Sequence, residues 1–293
     1  MKHLSILIPT HNDRCLTLVT TLQQQAEKAG LRYEIIVADD ASTDAAVKEE
    51  NRGINLLPHC RVEERQENVG RACIRNFLAL QAEYEWLLFI DSDMVVCRQD
   101  FLLRYAQTDD EQLVVDGGIC VGSVLPGNLR ALYEQAAEHK HTAEQRRQKP
   151  YQHLHTANIL IRRDILLTHP FDERFRHYGY EDVLLGKQLE QAQIPITHID
   201  NPLSFEIFED NAHFISKTEE GLRTLYQFRN DLEGYNGLLA ISHRLRLLTP
   251  LIALWHWISK GWEYRLLAGN SPSLTVFALY RLGYFMSLKW RKN

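Results

Sequence analysis

Five cysteines in 293 residues are few and odd in number, and Cys15, Cys60, Cys73, Cys97 and Cys120 form no C-x-x-C pair. A disulfide framework or thiolate zinc site is therefore disfavoured, and a reducing, cytoplasmic setting fits. Glycine-rich phosphate loops are missing too. The first expected strand-to-helix turn reads "PTHNDR" where a dinucleotide fold wants G-x-G-x-x-G, and no G-x-x-x-x-G-K-[ST] occurs. NAD enzymes and P-loop ATPases are both disfavoured on that ground. No stretch reaches the ~20 apolar residues that a membrane-spanning helix needs. The opening "MKHLSILIPTHND" lacks the regions of a signal peptide and reads as a short strand. Positive charge is not in excess: the net charge of -5 argues against a general nucleic-acid binder.

What is present is an ordinary globular composition, 45% hydrophobic and 24% charged, enough for a sizeable core in one large domain or a domain with an appendage. The charge is uneven. Residues 241–293 hold eight Lys or Arg and one acid, Glu263, whereas the rest of the chain is acidic. Four of the five tryptophans (Trp255, Trp257, Trp262, Trp290) lie in the same region. We divide the chain accordingly into 1–235 and a basic, Trp-rich helical region, 236–293.

Along the first part, apolar runs at 3–9, 33–40 and 86–91, with a weaker one at 55–64, predict strands. Helices are expected at 13–29, after "STD" at 42–44, and at 67–83, where Cys73, Phe77, Leu80 and Tyr84 recur at helical spacing. This alternation builds βαβ units and a largely parallel sheet with both faces covered. Further on, "LVVDGGICVG" (113–122) reads as one strand, 128–149 as an exposed helix or mobile segment, and 155–166 as a strand entering a helix. Residues 179–193 read as a helix with Glu181 and Asp182 in its first turn, 194–200 as a strand, and 211–233 as a helix.

Ligands of an open parallel sheet bind beyond the carboxyl ends of its strands. The polar residues there are Thr10 and His11, Asp39 and Asp40, and Asp91 with Asp93. An acidic set of this kind suits a hydrated divalent cation that bridges phosphates. Each pair has a plainer explanation: Asp91-Ser92-Asp93 as an Asx turn, Asp39-Asp40 as a turn before Ser42, Glu181-Asp182 as partners of a helix dipole.

Five stretches occur in order: "SILIPTHN", "EIIVADDASTD", "ENVGRACIRN", "LLFIDSDM" and "FDERFRHYGYEDVLLGKQL". Together, across about residues 3–233, they resemble a family 2 glycosyltransferase with the GT-A fold, an α/β Rossmann-like, mostly parallel sheet flanked by helices, here with a helical C-terminal extension. The resemblance implies inverting transfer of a sugar from a nucleotide-sugar, typically UDP-linked, to an acceptor hydroxyl in polysaccharide or glycolipid assembly, with Mg²⁺ or Mn²⁺. Asp93 would ligate the metal, with Asp91 nearer the ribose and sugar of the donor and also in the metal set. Asp40 would accept the base's ring N–H, Pro9 and Thr10 would line that pocket, and Arg75 would contact base or phosphate, with Arg71 the weaker candidate. Asp182 would be the general base and Glu181 would orient the acceptor; Asn158 matches a residue of less defined role.

One departure stands out. Many relatives place a metal-binding His 23 or 24 residues beyond the E-D aspartate; Phe205 and Glu206 stand there, flanked off-register by His198 and His213. Glu206 is the substitute oxygen ligand, unless water completes the site or metal dependence is weak. Two rivals remain on sequence alone: a nucleotidyltransferase, which would want a glycine- and arginine-rich loop where "PTHNDR" stands, and a non-catalytic sugar-nucleotide-binding or interaction protein. The C-terminal region fits either a peripheral membrane surface, beside a lipid-linked or saccharide acceptor, or packing on protein, including a homodimer partner.

Overall fold

The computed structural model describes residues 2–123, 125–138 and 141–290. The first half runs β1 (Leu4–Thr10), α1 (Leu16–Lys28), β2 (Tyr33–Asp39), α2 (Ala45–Arg52), β3 (Cys60–Glu64), α3 (Arg71–Gln81), β4 (Trp86–Ile90), β5 (Met94–Val95), α4 (Phe101–Ala106), β6 (Val114–Asp116) and β7 (Ile119–Val121). There follow α5 (Leu129–Glu138), α6 (Ala143–Gln148), β8 (Asn158–Arg162), α7 (Arg163–Thr168), α8 (Glu181–Gln191), β9 (Ile196–His198) and β10 (Leu203–Phe205). The chain closes with α9 (Asn211–Gln227), α10 (Gly237–Arg244), α11 (Thr249–Ala268) and α12 (Leu274–Trp290).

Two compact units form. The first, ending at Glu206, contains all the strands with α1–α4 and α6–α8; the second contains α5, residues 177–180 and α9–α12. This division falls earlier than the 235/236 boundary drawn from composition. Its physical basis is the core of the second unit, where Phe214 and Ile215 of α9 pack with Leu129, Leu267, Phe277 and Tyr280.

In the first unit, seven strands order as β3-β2-β1-β4-β8-β6-β9. β1 pairs in parallel with both β2 and β4, so the strand order reverses between β1 and β4. A crevice opens beyond the carboxyl ends at such a switch point, and here the chain leaves β1 at Thr10, β2 at Asp39 and β4 at Ile90. The apolar runs of these three strands are what a doubly covered parallel sheet needs, and all five residues of β4 are buried. β8 runs antiparallel between β4 and β6.

The stretch 113–122 does not form one strand. Gly117 and Gly118 break it into β6 in the main sheet and β7 in a small sheet ordered β5-β10-β7. Gly118 sits at φ +80, and a Cβ on Gly117 would lie 2.2 Å from the Tyr105 hydroxyl, so both positions require glycine. β10 is too short, three residues, to show in the pattern. In α3 the buried positions are Ala72, Ile74, Arg75, Leu78 and Ala79, while Leu80 is exposed. The helix is turned from the face that apolar spacing suggests, because Arg75 points inward.

Candidate active site

The loops after β1 and β2 interlock. Asp44 caps α2 by accepting from the amides of Ala46 and Val47, and Asn12 Oδ1 accepts from the amides of Thr43 and Asp44. Ser42 Oγ accepts from the Asn12 amide in return. Asp39 Oδ1 accepts from the Ser42 amide, 2.7 Å away, the turn role foreseen for one of the two acids. Asp40, also buried, spends its two oxygens differently: Oδ1 accepts from Val69 N–H and Oδ2 from Gly70 N–H, both at 2.9 Å. It thereby fixes the "ENVG" loop to the end of β2. His11 Nδ1 and the Asn68 amide meet the Asp40 carbonyl at 2.9 and 3.2 Å. Thr10 is buried, and its hydroxyl donates to the Asp13 carbonyl; Pro9 stands beside Ala38 in the ladder.

Beyond β4, Asp91 begins a turn whose Met94 N–H donates to the Asp91 carbonyl. Ser92 donates to Asp13 Oδ2 and so ties the D-x-D to the loop after β1. Arg75 decides the rest. Its guanidinium is 1% exposed and donates to Asp91 Oδ1 at 2.6 Å and to Glu181 Oε1 at 3.1 Å. Bonds to ionised partners are the strong ones, and buried guanidinium needs them. The first acid of the D-x-D and the first acid of the E-D helix, far apart in sequence, therefore share one cation. Arg71 Nη1 lies 3.8 Å from Asp91 Oδ2, with its side chain 42% exposed.

Glu181 and Asp182 occupy the first turn of α8, and Tyr180 just before them holds a left-handed φ of +73. For a bulky side chain that conformation costs about 1–3 kcal/mol and collects at functional sites. Glu181 is buried, and its Oε2 lacks a hydrogen-bond partner among the described residues. Asp182 Oδ1 accepts from the Val183 N–H at 2.7 Å. Burial, then the negative charge of Glu181, push the Asp182 carboxyl up to about 6, against the opposing pull of the Val183 amide, His155 and Arg75.

These motifs match a known family. The family model "Glycosyl transferase family 2" covers residues 5–169, more than half of the chain. The chain belongs to glycosyl transferase family 2. An uncharacterized glycosyltransferase of Haemophilus influenzae is 30% identical over 90 residues, 31% of this chain and 29% of that protein. Poly(ribitol-phosphate) beta-N-acetylglucosaminyltransferase TarS of Staphylococcus aureus is 30% identical over 95 residues, 32% of this chain and 16% of TarS. The matched part is thus under a third of either curated relative. A crystal structure of TarS 1-349 with UDP superposes with a TM-score of 0.52 at 18% identity, covering 99% of this chain and 91% of that one. The mannosyltransferase PcManGT of Pyrobaculum calidifontis, in complex with GDP-Man and Mn²⁺, gives 0.55 at 16% identity, covering 100% and 88%. The fold of this family 2 member is GT-A.

Among the described residues no three His, Cys, Asp or Glu side chains stand together as a metal set. Asp91, Asp93 and Glu206 do not form one because Asp91 is turned to Arg75 and Arg71. Asp93 and Glu206 are placed differently. β5 and β10 pair antiparallel, with Met94 opposite Phe205, and extending that register by one residue sets Glu206 across from Asp93. A Cβ on Gly122 would come within 2.8 Å of Glu206 Oε1, so glycine makes the room for that carboxylate. Two carboxylate residues at neighbouring backbone positions suit the octahedral ions, which take one or two protein oxygens and leave the remainder to phosphates and water.

Several expected or unexpected residues serve the scaffold. Asn158 is fully buried, accepting from the Tyr105 hydroxyl at 2.7 Å and donating to the Gly118 and Asn201 carbonyls. Asp116 was not singled out in the sequence. It lies fully buried with His155 at 3.3 Å, His198 at 3.6 Å and Arg146 at 3.9 Å. Burial opposes its charge, but those partners, His155 foremost, hold its carboxyl below the usual range. His198 thus belongs to this cluster, and His213 N–H is capped by Asp210 at the start of α9. His11, noted at the end of β1, meets the Asp40 carbonyl together with Asn68, which was missed as a site residue; "ENVG" within the matching stretches was the signal.

Proposed function

We propose that this chain transfers a sugar from a nucleotide-sugar, most simply a UDP-sugar, to an acceptor hydroxyl with inversion at the anomeric carbon. The observation that carries this is the Arg75 link, which brings the D-x-D and the E-D helix to one place. Asp182 takes the acceptor's proton as its oxygen attacks: a carboxylate raised to about 6 is mostly ionised at neutral pH yet basic enough to work. Glu181 orients the acceptor through its second oxygen while its first is fixed by Arg75. Pro9, Thr10 and Asp40 shape the base pocket, Asp40 by holding the Val69–Gly70 amides as well as through its remaining lone pairs. Arg75 positions Asp91, and the half-exposed Arg71 is the better placed of the two for a donor phosphate.

Asp93 and Glu206 would hold Mg²⁺ or Mn²⁺. When bound, the ion supplies positive charge against the diphosphate as it leaves. The solved complexes of TarS with UDP and of PcManGT with GDP-Man and Mn²⁺ support a nucleotide-sugar and a divalent ion. TarS by its name acts on a poly(ribitol-phosphate), which supports a polymer as the acceptor class.

The test is a panel of UDP- and GDP-sugars scored for release of nucleoside diphosphate, with and without Mn²⁺. We expect one donor to turn over, and the Asp182→Asn protein to bind that donor but release about 10²–10⁴-fold less diphosphate. Unchanged turnover in Asp182→Asn would sink the base assignment. Binding of a nucleotide-sugar with no release by the wild type, even with acceptor extracts, would favour the non-catalytic reading.

A further inference from the structure

The helix α11 is built inside out. Its buried positions, Ala253, His256, Ser259, Glu263 and Leu267, recur three and four residues apart and so lie on one face. That face is largely polar: Ser259 Oγ donates to Glu263 Oε1 at 3.0 Å, and His256 Nδ1 stands 3.5 Å from Glu263 Oε2. The outward stripe is Leu251, Leu254, Trp255, Ile258 and Trp262, each 54% to 65% exposed. A helix made for water shows the reverse arrangement. So large an outward apolar stripe marks a surface meant to be covered.

Charge identifies the cover. Residues 241–293 carry eight basic side chains, and their one acid, Glu263, is buried. Arg265 is exposed on α11 beside the stripe, Lys260 is exposed on the side of Trp257, and Arg244 and Arg246 precede the helix. A second copy of this face would bring like charges together, whereas anionic headgroups complement them. Tryptophans concentrate at the boundary between headgroups and acyl chains, and Trp255, Trp257 and Trp262 are all exposed here. Among the described residues no single helix is long and apolar enough to cross a membrane; α10 and the helical stretch 246–268 reach that length and apolarity only together, and a bend of 72° separates them. Between α11 and α12 lies a cavity of about 600 Å³ with Leu254, Trp257, Leu288 and Trp290 in its wall and Lys260 among them.

We propose that α11 lies flat on an anionic bilayer, its Leu-Trp-Ile stripe at the headgroup–acyl boundary, with one lipid tail in the cavity beside Lys260. The surface stands independently of the transfer reading above.

The test uses the full chain with vesicles of phosphatidylcholine alone or mixed with phosphatidylglycerol. Wild type should sediment with the mixed vesicles and bind phosphatidylcholine about tenfold or more weakly, since each basic group near an anionic surface contributes about fivefold. Its tryptophan emission should shift to the blue and be quenched by brominated acyl chains. The double variant Trp255→Ser, Trp262→Ser should lose about tenfold or more in partition, with folding checked by circular dichroism. Should that variant misfold, Lys260→Glu with Arg265→Glu, both at the surface, should abolish the preference for phosphatidylglycerol. The proposal is overturned if wild type ignores both vesicles or the folded variants bind like wild type. It is equally overturned if sedimentation shows a dimer through this stripe that vesicles do not displace.

Discussion

Asp182 is held in a form that the fold does not favour. Burial and Glu181 raise its carboxyl, so the ionised state costs stability at every pH above the unfolded value and the cost is relieved as pH falls. Two outcomes follow. First, kcat/KM should fall about tenfold per unit as pH drops below about 6, because only the carboxylate can accept a proton; Glu181→Gln, removing a charge that raises Asp182, should move this limb to lower pH. Second, Asp182→Asn should melt no lower than wild type at pH 7 while losing activity, a stability gain bought from function. Arg75 is the opposite kind of residue. Arg75→Met removes one cation and leaves Asp91 and Glu181 facing without it, so the cost should be about 3–5 kcal/mol by urea unfolding.

Among the elements, the loop before α3 is the one most tightly determined. Gly70 sits at φ +85, and a Cβ there would meet the Arg176 carbonyl oxygen at 2.6 Å. Gly70→Ala should therefore destabilise by about 1–3 kcal/mol and loosen the two amides that Asp40 holds; denaturant midpoints check the first, and donor KM the second. These elements also show what a sequence can and cannot disclose. β1, β2 and β4 were legible because fully buried parallel strands are continuous apolar runs, Asp91 and Asp93 because they follow such a strand, and Glu181 and Asp182 because they open a helix inside a stretch that resembles the family. The face of α3 was not, since apolar spacing carries no sign of an inward arginine whose partners lie just beyond β4 and on α8. Nor was the break at Gly117–Gly118, where composition reads through and the crowding of Gly117 by Tyr105, Asn158 and Asn201 and the positive φ of Gly118 come only from the fold. Asp116 was invisible for a similar reason: its histidines come from separate segments that only the fold assembles.

For the molecule as a whole, the small sheet is where the proposed metal site can be tested. Since β5 and β10 set Glu206 opposite Asp93, chelation by EDTA should stop turnover, and Mn²⁺ or Mg²⁺ should restore it. Glu206→Gln should raise the Mn²⁺ concentration giving half-maximal rate by about 10-fold or more while sparing the fold; an unchanged metal titration would move the ligand elsewhere.

The Arg75 guanidinium has a consequence for the order in which substrates are felt. One cation is shared by Asp91 and Glu181, so on the proposed roles, donor at Asp91 and acceptor at Glu181, whatever draws Asp91 toward a nucleotide-sugar would alter the hold on Glu181. Linkage is reciprocal, so donor should tighten or weaken acceptor binding by the same factor that acceptor changes donor binding. Calorimetric titrations of each ligand in the presence of the other would measure that factor, and Arg75→Lys, which keeps the charge but not the fork, should bring it close to one.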